Sequence, residues 1–216
     1  YIYGMTPDLN ADDTLYKDQF EGPFFDTIYD TGGIDTIDLS FFSGIHELDI
    51  TLDLRPGTVS EIGTEEIHIL GNNNWGDMGF PLSISANTII ENAITGSGDD
   101  AITCNIAANT ITCGSGNDTV YDISTGDSVY GGDGNDRFWM SSTDFTLIDG
   151  GSGTDYLKFE DSIVDLNSYT DAQITGIEGI SITPNSSSTL LTLSQQSILD
   201  LESNYILDVD GDEDYD

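Results

Sequence analysis

The sequence predicts an all-β fold, a right-handed parallel β-roll in which two nonapeptides make one turn. Three observations predict it. An apolar residue recurs every nine residues between residues 95 and 158, and alternate blocks carry glycines and an aspartate ahead of it. The chain also has 40 acidic residues against 4 basic ones, a net charge of −36. Such a charge opposes collapse, so we expect cations to neutralise it before the 37% of hydrophobic residues can pack.

The nonapeptide period runs through seven consecutive blocks. Each strand of a block is expected to point its apolar residue inward, because side chains alternate across a strand. The blocks match the template G-G-x-G-x-D-x-U-x of calcium-binding parallel β-helices, where U is large and apolar. The predicted inward residues are Ile102, Ile111, Val120, Val129, Phe138, Leu147 and Leu157.

Alternate blocks differ. The blocks starting at 95, 113, 131 and 150 keep the sixth-position Asp, whereas those starting at 104, 122 and 140 have Asn109, Asp127 and Phe145 there. Glycine lets a loop turn its carbonyls toward one point, and Ca²⁺ takes about six to eight carbonyl and carboxylate oxygens. Because two blocks make one turn, the intact loops fall on one edge.

We therefore expect about three calcium ions along that edge, between loops 95/113, 113/131 and 131/150, and an opposite edge largely free of ions. The candidate ligands are Thr95, Gly96, Ser97, Gly98, Asp100, Cys113, Gly114, Ser115, Gly116, Asp118, Gly131, Gly132, Asp133, Gly134, Asp136, Gly150, Gly151, Gly153 and Asp155.

Beyond the repeats, the segments 1–4, 29–38, 50–54, 60–63 and 90–94 carry a likeness to a known family. The chain resembles the C-terminal calcium-binding β-roll domain of serralysin-type secreted metallopeptidases over residues 1–158. The resemblance implies further calcium ahead of the repeats, with Glu91 and the Ile89 carbonyl closing one site. The other ligands that it implies are Asp30, Gly32, Gly33 and Asp35.

The resemblance and the composition divide the chain into leading strands and calcium loops (1–94), repeats (95–158), a C-terminal β cap (159–207) and an acidic end (208–216). The cap is expected to have strands near 156–159, 174–182 and 189–193 and a short helix through 194–201. The end resembles the opening of an EF-hand loop, which the sequence leaves incomplete, or is an acidic tail. Its candidate ligands are Asp208, Asp210 and Asp212.

Several functions are disfavoured. A strongly negative surface repels nucleic acid and anionic membranes, and no apolar run approaches the ~20 residues that span a bilayer. The zinc motif H-E-x-x-H-x-x-G-x-x-H is absent, since the chain has only His46 and His68. We therefore expect no membrane insertion and no enzymatic activity. Cys104 and Cys113 fall at opposite edges of one turn, so we expect no disulfide between them.

These points predict a non-catalytic, calcium-binding module of a secreted bacterial protein. It would fold on calcium binding outside the cell and stabilise or position an attached domain of a longer parent chain, a peptidase by the resemblance. The alternative is a module that binds polysaccharide or an extracellular protein. Segment 71–80, which contains three consecutive asparagines, Trp75 and Phe80, suggests that alternative.

Overall fold

The structure is a computed structural model of the chain. It describes residues 14–16, 26–40, 48–63, 80–160, 163–165, 167, 169–170, 172–182, 190–192 and 206–208. Its strands are β1 (Thr14–Tyr16), β2 (Asp26–Ile28), β3 (Thr36–Asp38), β4 (Ile50–Asp53), β5 (Val59–Ile62), β6 (Phe80–Ile84), β7 (Asn92–Ile94), β8 (Ala101–Thr103), β9 (Thr110–Ser115), β10 (Thr119–Ile123), β11 (Ser128–Asp133), β12 (Arg137–Met140), β13 (Leu147–Ser152), β14 (Tyr156–Phe159), β15 (Ile163–Asp165), β16 (Ile174–Thr175), β17 (Gly179–Ile182), β18 (Leu190–Thr192) and β19 (Ile206–Asp208).

Two long sheets form the walls of the predicted parallel β-roll, which the structure confirms. One sheet has the order β1-β3-β7-β9-β11-β13-β16, and the other has the order β19-β17-β14-β12-β10-β8-β4-β5-β6-β2. In the repeats the chain alternates between them, so every second strand stacks on the one a full turn earlier. All the pairs are parallel except those that β5 makes with β4 and β6.

The core lies between the two sheets and consists of the repeating apolar residues. Ile102, Val120 and Phe138 stack in one column and are fully buried. Ile111 and Val129 stack in the facing column and are also fully buried. The period of nine therefore places one apolar side chain from each block in a shared interior.

The seventh block departs from the prediction. Ile148, not Leu147, is paired with Val129 and is fully buried, while Leu147 is half-buried. The prediction for Leu147 is wrong because the extra residue lies ahead of the strand, in the turn at 141–146. Paired residues of β11 and β13 are therefore 19 positions apart in the sequence, whereas those of β9 and β11 are 18 apart. Phe145, expected at the sixth position of a loop, is instead buried and stacks on Tyr169 with ring centroids 4.5 Å apart.

The regions around the repeats extend the same sheets. Strands β4, β5 and β6 form an antiparallel meander at one end, and β17 and β19 continue the sheet beyond β14 at the other. Strands β15 and β18 form a separate parallel pair. The strands predicted in the cap are confirmed; the predicted helix at 194–201 lies outside the described residues.

Both cysteines are buried and free, which confirms that they are not bonded to each other. Cys104 follows β8 and Cys113 lies in β9, so the two belong to different sheets. Within the described ranges, the structure has no helix long and apolar enough to cross a membrane.

Candidate metal centre

The four intact glycine loops stack on one edge of the roll. Strand pairing aligns Gly114 with Gly132 and Gly132 with Gly151, and it aligns Ser115, Asp133 and Ser152 in the same way. The second- and third-position residues of the loops at 113, 131 and 150 therefore lie directly over their equivalents in the next loop.

The glycines at the second and fourth positions permit this stacking. Gly132 and Gly134 have φ values of 115° and 133°, which residues with a side chain rarely adopt. A Cβ on Gly132 would collide with the Gly114 carbonyl, and one on Gly134 would collide with the Gly116 carbonyl. Glycine here brings a row of backbone carbonyl oxygens against the next loop.

The sixth-position aspartates link the loops to one another. The backbone N–H of Asp100 donates to Oδ1 of Asp118 (2.7 Å), and that of Asp118 donates to Oδ1 of Asp136 (2.8 Å). The N–H of Asp136 donates in turn to Oδ1 of Asp155 (2.7 Å). One oxygen of each accepting carboxylate, at Asp118, Asp136 and Asp155, is thus hydrogen-bonded to the preceding loop.

The second oxygen of the same three carboxylates is not satisfied. Oδ2 of Asp118, Asp136 and Asp155 is buried and has no hydrogen-bond partner. A buried polar atom without a partner costs roughly 1–3 kcal/mol, and more if it is charged. Burial is the main cause that raises the pKa of Asp118 to about 8, of Asp136 to about 6 and of Asp155 to about 7. These atoms are suited to a bound cation.

Two oxygen donors come close together at Gly131, which has no side chain. A Cβ on this glycine would collide with Oδ2 of Asp136 and lie 2.6 Å from the Gly150 carbonyl oxygen. Glycine here lets a carboxylate oxygen and a carbonyl oxygen, the donors that Ca²⁺ prefers, approach the same point. No group of three His, Cys, Asp or Glu side chains suited to a metal is found among the described residues. The sixth-position aspartate is the one carboxylate that all four loops share, so most of the remaining donors would be backbone oxygens.

The first loop differs from the others. Its Thr95 hydroxyl donates to the Cys113 carbonyl (2.7 Å). Both oxygens of Asp100 accept backbone hydrogen bonds, Oδ1 from Ile50 (2.8 Å) and Oδ2 from Gly96 (3.2 Å). Burial still raises the pKa of Asp100 to about 6. Hydrogen bonds within the protein thus already use both Asp100 oxygens and the Cys113 carbonyl, which an ion at this loop would need.

The opposite edge is joined by protein groups. Oδ1 of Asp127 accepts from the Asn109 N–H (2.7 Å), and Oδ2 accepts from the Ser124 N–H (2.7 Å). The amide of Asn109 donates to the Ile90 and Glu91 carbonyls. Within the described part of this edge, Asp127 has a partner for each oxygen, in contrast to the aspartates of the glycine loops.

The upstream candidates also come together. Asp30 accepts from the Gly32 N–H through Oδ2 (2.8 Å), and the Asp35 N–H donates to Oε2 of Glu91 (2.8 Å). Gly32 and Gly33 have φ values of 145° and 138°. Ile89 is half-buried in the segment just before Glu91. The structure thus places the resemblance-derived residues 30–35 beside residues 89–91, although 56 positions separate Asp35 from Glu91.

The remaining candidates are only partly described by the structure. Asp208 ends β19, where its backbone pairs with Ser181, while Asp210 and Asp212 lie outside the described residues. The same holds for Trp75 and most of segment 71–80, of which only Phe80 is described, as the first residue of β6.

The fifth position of the loops was overlooked in the sequence. The side chain of Asp99 accepts from the Asn117 N–H (2.7 Å), that of Asn117 from the Asn135 N–H (2.9 Å), and that of Asn135 from the Thr154 N–H (2.8 Å). This second series of hydrogen bonds fixes the spacing between loops. The recurrence of Asp, Asn, Asn and Thr just before the sixth-position Asp was the available signal.

Comparison with protein families identifies the chain. The model described as "Peptidase M10 serralysin C terminal" matches residues 2–188. The chain belongs to this family. It is 34% identical over 123 residues to a serralysin of Photorhabdus laumondii, a match that covers 51% of the chain and 22% of that relative. A serralysin of Proteus mirabilis is 34% identical over 110 residues, covering 51% of the chain and 19% of the relative. Serralysin G of Dickeya chrysanthemi is 30% identical over 122 residues, again covering 51% of the chain and 22% of the relative.

Membership confirms the resemblance seen in the sequence. The match to the serralysin C-terminal family spans the leading strands, the repeats and much of the cap. The matched region is about a fifth of the length of these curated serralysins.

Proposed function

We propose that this serralysin C-terminal domain is a non-catalytic calcium-binding module of a secreted bacterial protein. It folds when calcium binds and stabilises or positions an attached domain, which the family suggests is a peptidase. The row of buried carboxylate oxygens without partners, at Asp118, Asp136 and Asp155, carries the proposal. Buried groups of this kind are rare in a folded protein unless a ligand satisfies them.

The proposed ions lie between loops 95/113, 113/131 and 131/150. The sixth-position carboxylates and the loop carbonyls would hold them, and calcium, when bound, supplies the positive charge that the carboxylates lack. The 95/113 site is expected to be the weakest. There the Thr95 hydroxyl already donates to the Cys113 carbonyl, and Asp100 has two backbone donors.

Charge explains why binding and folding should be coupled. The chain has a net charge of −36, and folding buries the aspartates of adjacent loops one above another. Without cations, desolvation and mutual repulsion both oppose that arrangement. An ion that binds only the folded form stabilises it by mass action. A chain made where calcium is scarce would stay unfolded for export and fold outside the cell.

The remaining candidates complete this proposal. The residues near Asp30, Asp35 and Glu91 are proposed to hold calcium ahead of the ladder of loops. Residues 159–207 are proposed to cap the end of the roll, and residues 208–216 to form a further calcium loop or an acidic tail. The proposed partners are therefore calcium ions and the attached domain.

The test is a calcium titration of the chelator-treated chain, followed by far-UV circular dichroism. We expect a cooperative change from a coil-like to a β-sheet spectrum. Magnesium is the control, because it demands a smaller, near-octahedral site and should not reproduce the change. A β-sheet spectrum in chelator, from a sample that metal analysis finds free of calcium, would refute the proposal.

A further inference from the structure

The turn at 176–178 stacks on the last glycine loop as a fifth loop would. In the repeats, the seventh-position N–H donates to the sixth-position carbonyl of the loop before it, as Tyr156 does to Asp136 (2.9 Å). The Gly179 N–H donates to the Asp155 carbonyl in the same way (2.9 Å). Strand pairing agrees, because Tyr156 is aligned with Gly179. Glu178 therefore stands at the sixth position of this turn.

The carboxylate of Glu178 makes the hydrogen bond expected of that position. Its Oε2 accepts from the Asp155 N–H (2.8 Å), just as Oδ1 of Asp155 accepts from the Asp136 N–H (2.7 Å). Two independent hydrogen bonds thus extend the ladder of carboxylates by one member that is not part of any glycine repeat.

Gly176 supplies the carbonyl that the first position supplies elsewhere. The pairing of Asp149 with Thr175 places Gly176 opposite Gly150. A Cβ on Gly150 would collide with the Gly176 carbonyl oxygen and lie 2.6 Å from Oδ2 of Asp155. At Gly131 the corresponding neighbours are the carbonyl of the next loop and the aspartate of the same loop. Asp155 has no exposed surface, and its Oδ2 has no hydrogen-bond partner.

We propose that a further calcium site lies between loop 150–155 and the turn at 176–178. Oδ2 of Asp155, the Gly176 carbonyl and the Glu178 carboxylate are its donors. The site belongs to the same ladder of loops, so this inference rests on the proposed function.

The length of the turn explains the use of glutamate and the end of the ladder. Only Ile177 separates the first-position Gly176 from the sixth-position Glu178, where the repeats have four residues between those positions. The longer Glu side chain reaches the Asp155 N–H from this shortened turn. The turn lacks the second and fourth glycines, so it offers no loop of carbonyls to a following turn. The site therefore closes the C-terminal end of the ladder.

The opposite end of the ladder is closed differently. The Ile50 N–H donates to Oδ1 of Asp100, so Ile50 holds the sixth position there and brings no carboxylate. The Asp49 carboxylate holds the fifth position there, where its Oδ1 accepts from the Asp99 N–H (2.9 Å). A site whose sixth-position carboxylate comes from outside the repeats is accordingly proposed at the C-terminal end alone.

The experiment compares the full chain with its Glu178→Gln variant by native mass spectrometry at a fixed free calcium concentration. Glutamine keeps an oxygen for the Asp155 N–H but removes the charge, so we expect the variant to bind one calcium ion fewer. Glu160→Gln is the matched control, because Glu160 is an exposed carboxylate that follows β14, away from loop 150–155, and should leave the count unchanged. Circular dichroism at the same calcium concentration establishes that the variants are folded.

The outcomes separate the two proposals. An unaltered chain that binds no calcium overturns the proposed function, whereas equal ion counts for the chain and its Glu178→Gln variant overturn only this site. If the variant does not fold, the decisive measurement is anomalous scattering from crystals of the unaltered chain grown in calcium. A peak beside Asp155 and Gly176 supports the site, and calcium at the glycine loops without such a peak overturns it.

Discussion

Asp136 and Asp127 form a matched pair that separates ion binding from ordinary burial. Both side chains are fully buried. Each accepts a backbone N–H through Oδ1, from Asp118 (2.8 Å) and from Asn109 (2.7 Å) respectively. They differ at Oδ2, which accepts from Ser124 in Asp127 and has no partner in Asp136.

For Asp136→Asn we expect a loss of stability that depends on calcium. Asparagine keeps an oxygen for the Asp118 N–H but removes the charge that an ion requires. One site at a calcium concentration of 100 times its dissociation constant contributes about 2.7 kcal/mol, which is the loss expected there. As the calcium concentration is lowered the loss should shrink, because burial, which raises the pKa of Asp136 to about 6, already disfavours its charged form.

For Asp127→Asn we expect a loss that is independent of calcium. An asparagine offers one oxygen and cannot accept from both Asn109 and Ser124. The N–H left unpaired in the interior costs roughly 1–3 kcal/mol at every calcium concentration.

The assay is urea unfolding followed by circular dichroism over a series of calcium concentrations. The dependence of the unfolding free energy on the logarithm of calcium concentration counts the ions released, and Asp136→Asn should lower that count by about one. Asp127→Asn should leave the count unchanged. If Asp136→Asn destabilised the chain equally at low and at high calcium concentrations, the assignment of its free oxygen to an ion would be wrong.

Three further results are expected. Burial raises the pKa of Asp118 from 3.8 to about 8. The charged Asp118 carboxylate therefore destabilises the calcium-free folded form above about pH 8, and this destabilisation is lost as the pH falls and the carboxyl group is protonated. The chelated chain should gain β-sheet signal in far-UV circular dichroism as pH falls from about 8 toward 4, and a signal unchanged over this range would contradict this. Gly134→Ala should lower the unfolding free energy by more than the ~1–2 kcal/mol of backbone strain, because the added Cβ also meets the Gly116 carbonyl. Gly57→Ala is the control for strain alone, since Gly57 has a φ of 84° and a Cβ there would make only ordinary contacts. Both cysteines should resist alkylation in calcium and react in chelator, since burial is the main cause that raises the pKa of each thiol; equal labelling rates would argue against calcium-dependent folding.

The sequence period was sufficient to predict the roll and nearly all of its inward residues. It failed at Leu147 for a local reason. Leu147 and Ile148 are adjacent and both apolar, so the pattern could not tell whether the extra residue lay before or after them. The polar turn at 141–146 absorbs it, and Phe145 fills the interior as a result.

The site was predicted only where it repeats. The pairing of Asp35 with Glu91 spans 56 residues and could be anticipated from the family resemblance alone. Glu178 lies in a turn with neither the glycines nor the spacing of the template, so only the hydrogen bonds of the fold reveal its equivalence to an aspartate. The role of Thr95 depends likewise on which carbonyl lies beside its hydroxyl.

The order of strands in the larger sheet gives the domain a length as well as a fold. Strand β2 lies at one edge and β19 at the other, nine strand spacings apart in the ten-stranded sheet. At a strand spacing of about 4.8 Å, the distance from edge to edge is roughly 43 Å. The number of turns therefore sets the separation between the two ends of this sheet, and each 18-residue turn added or removed would change it by about 4.8 Å.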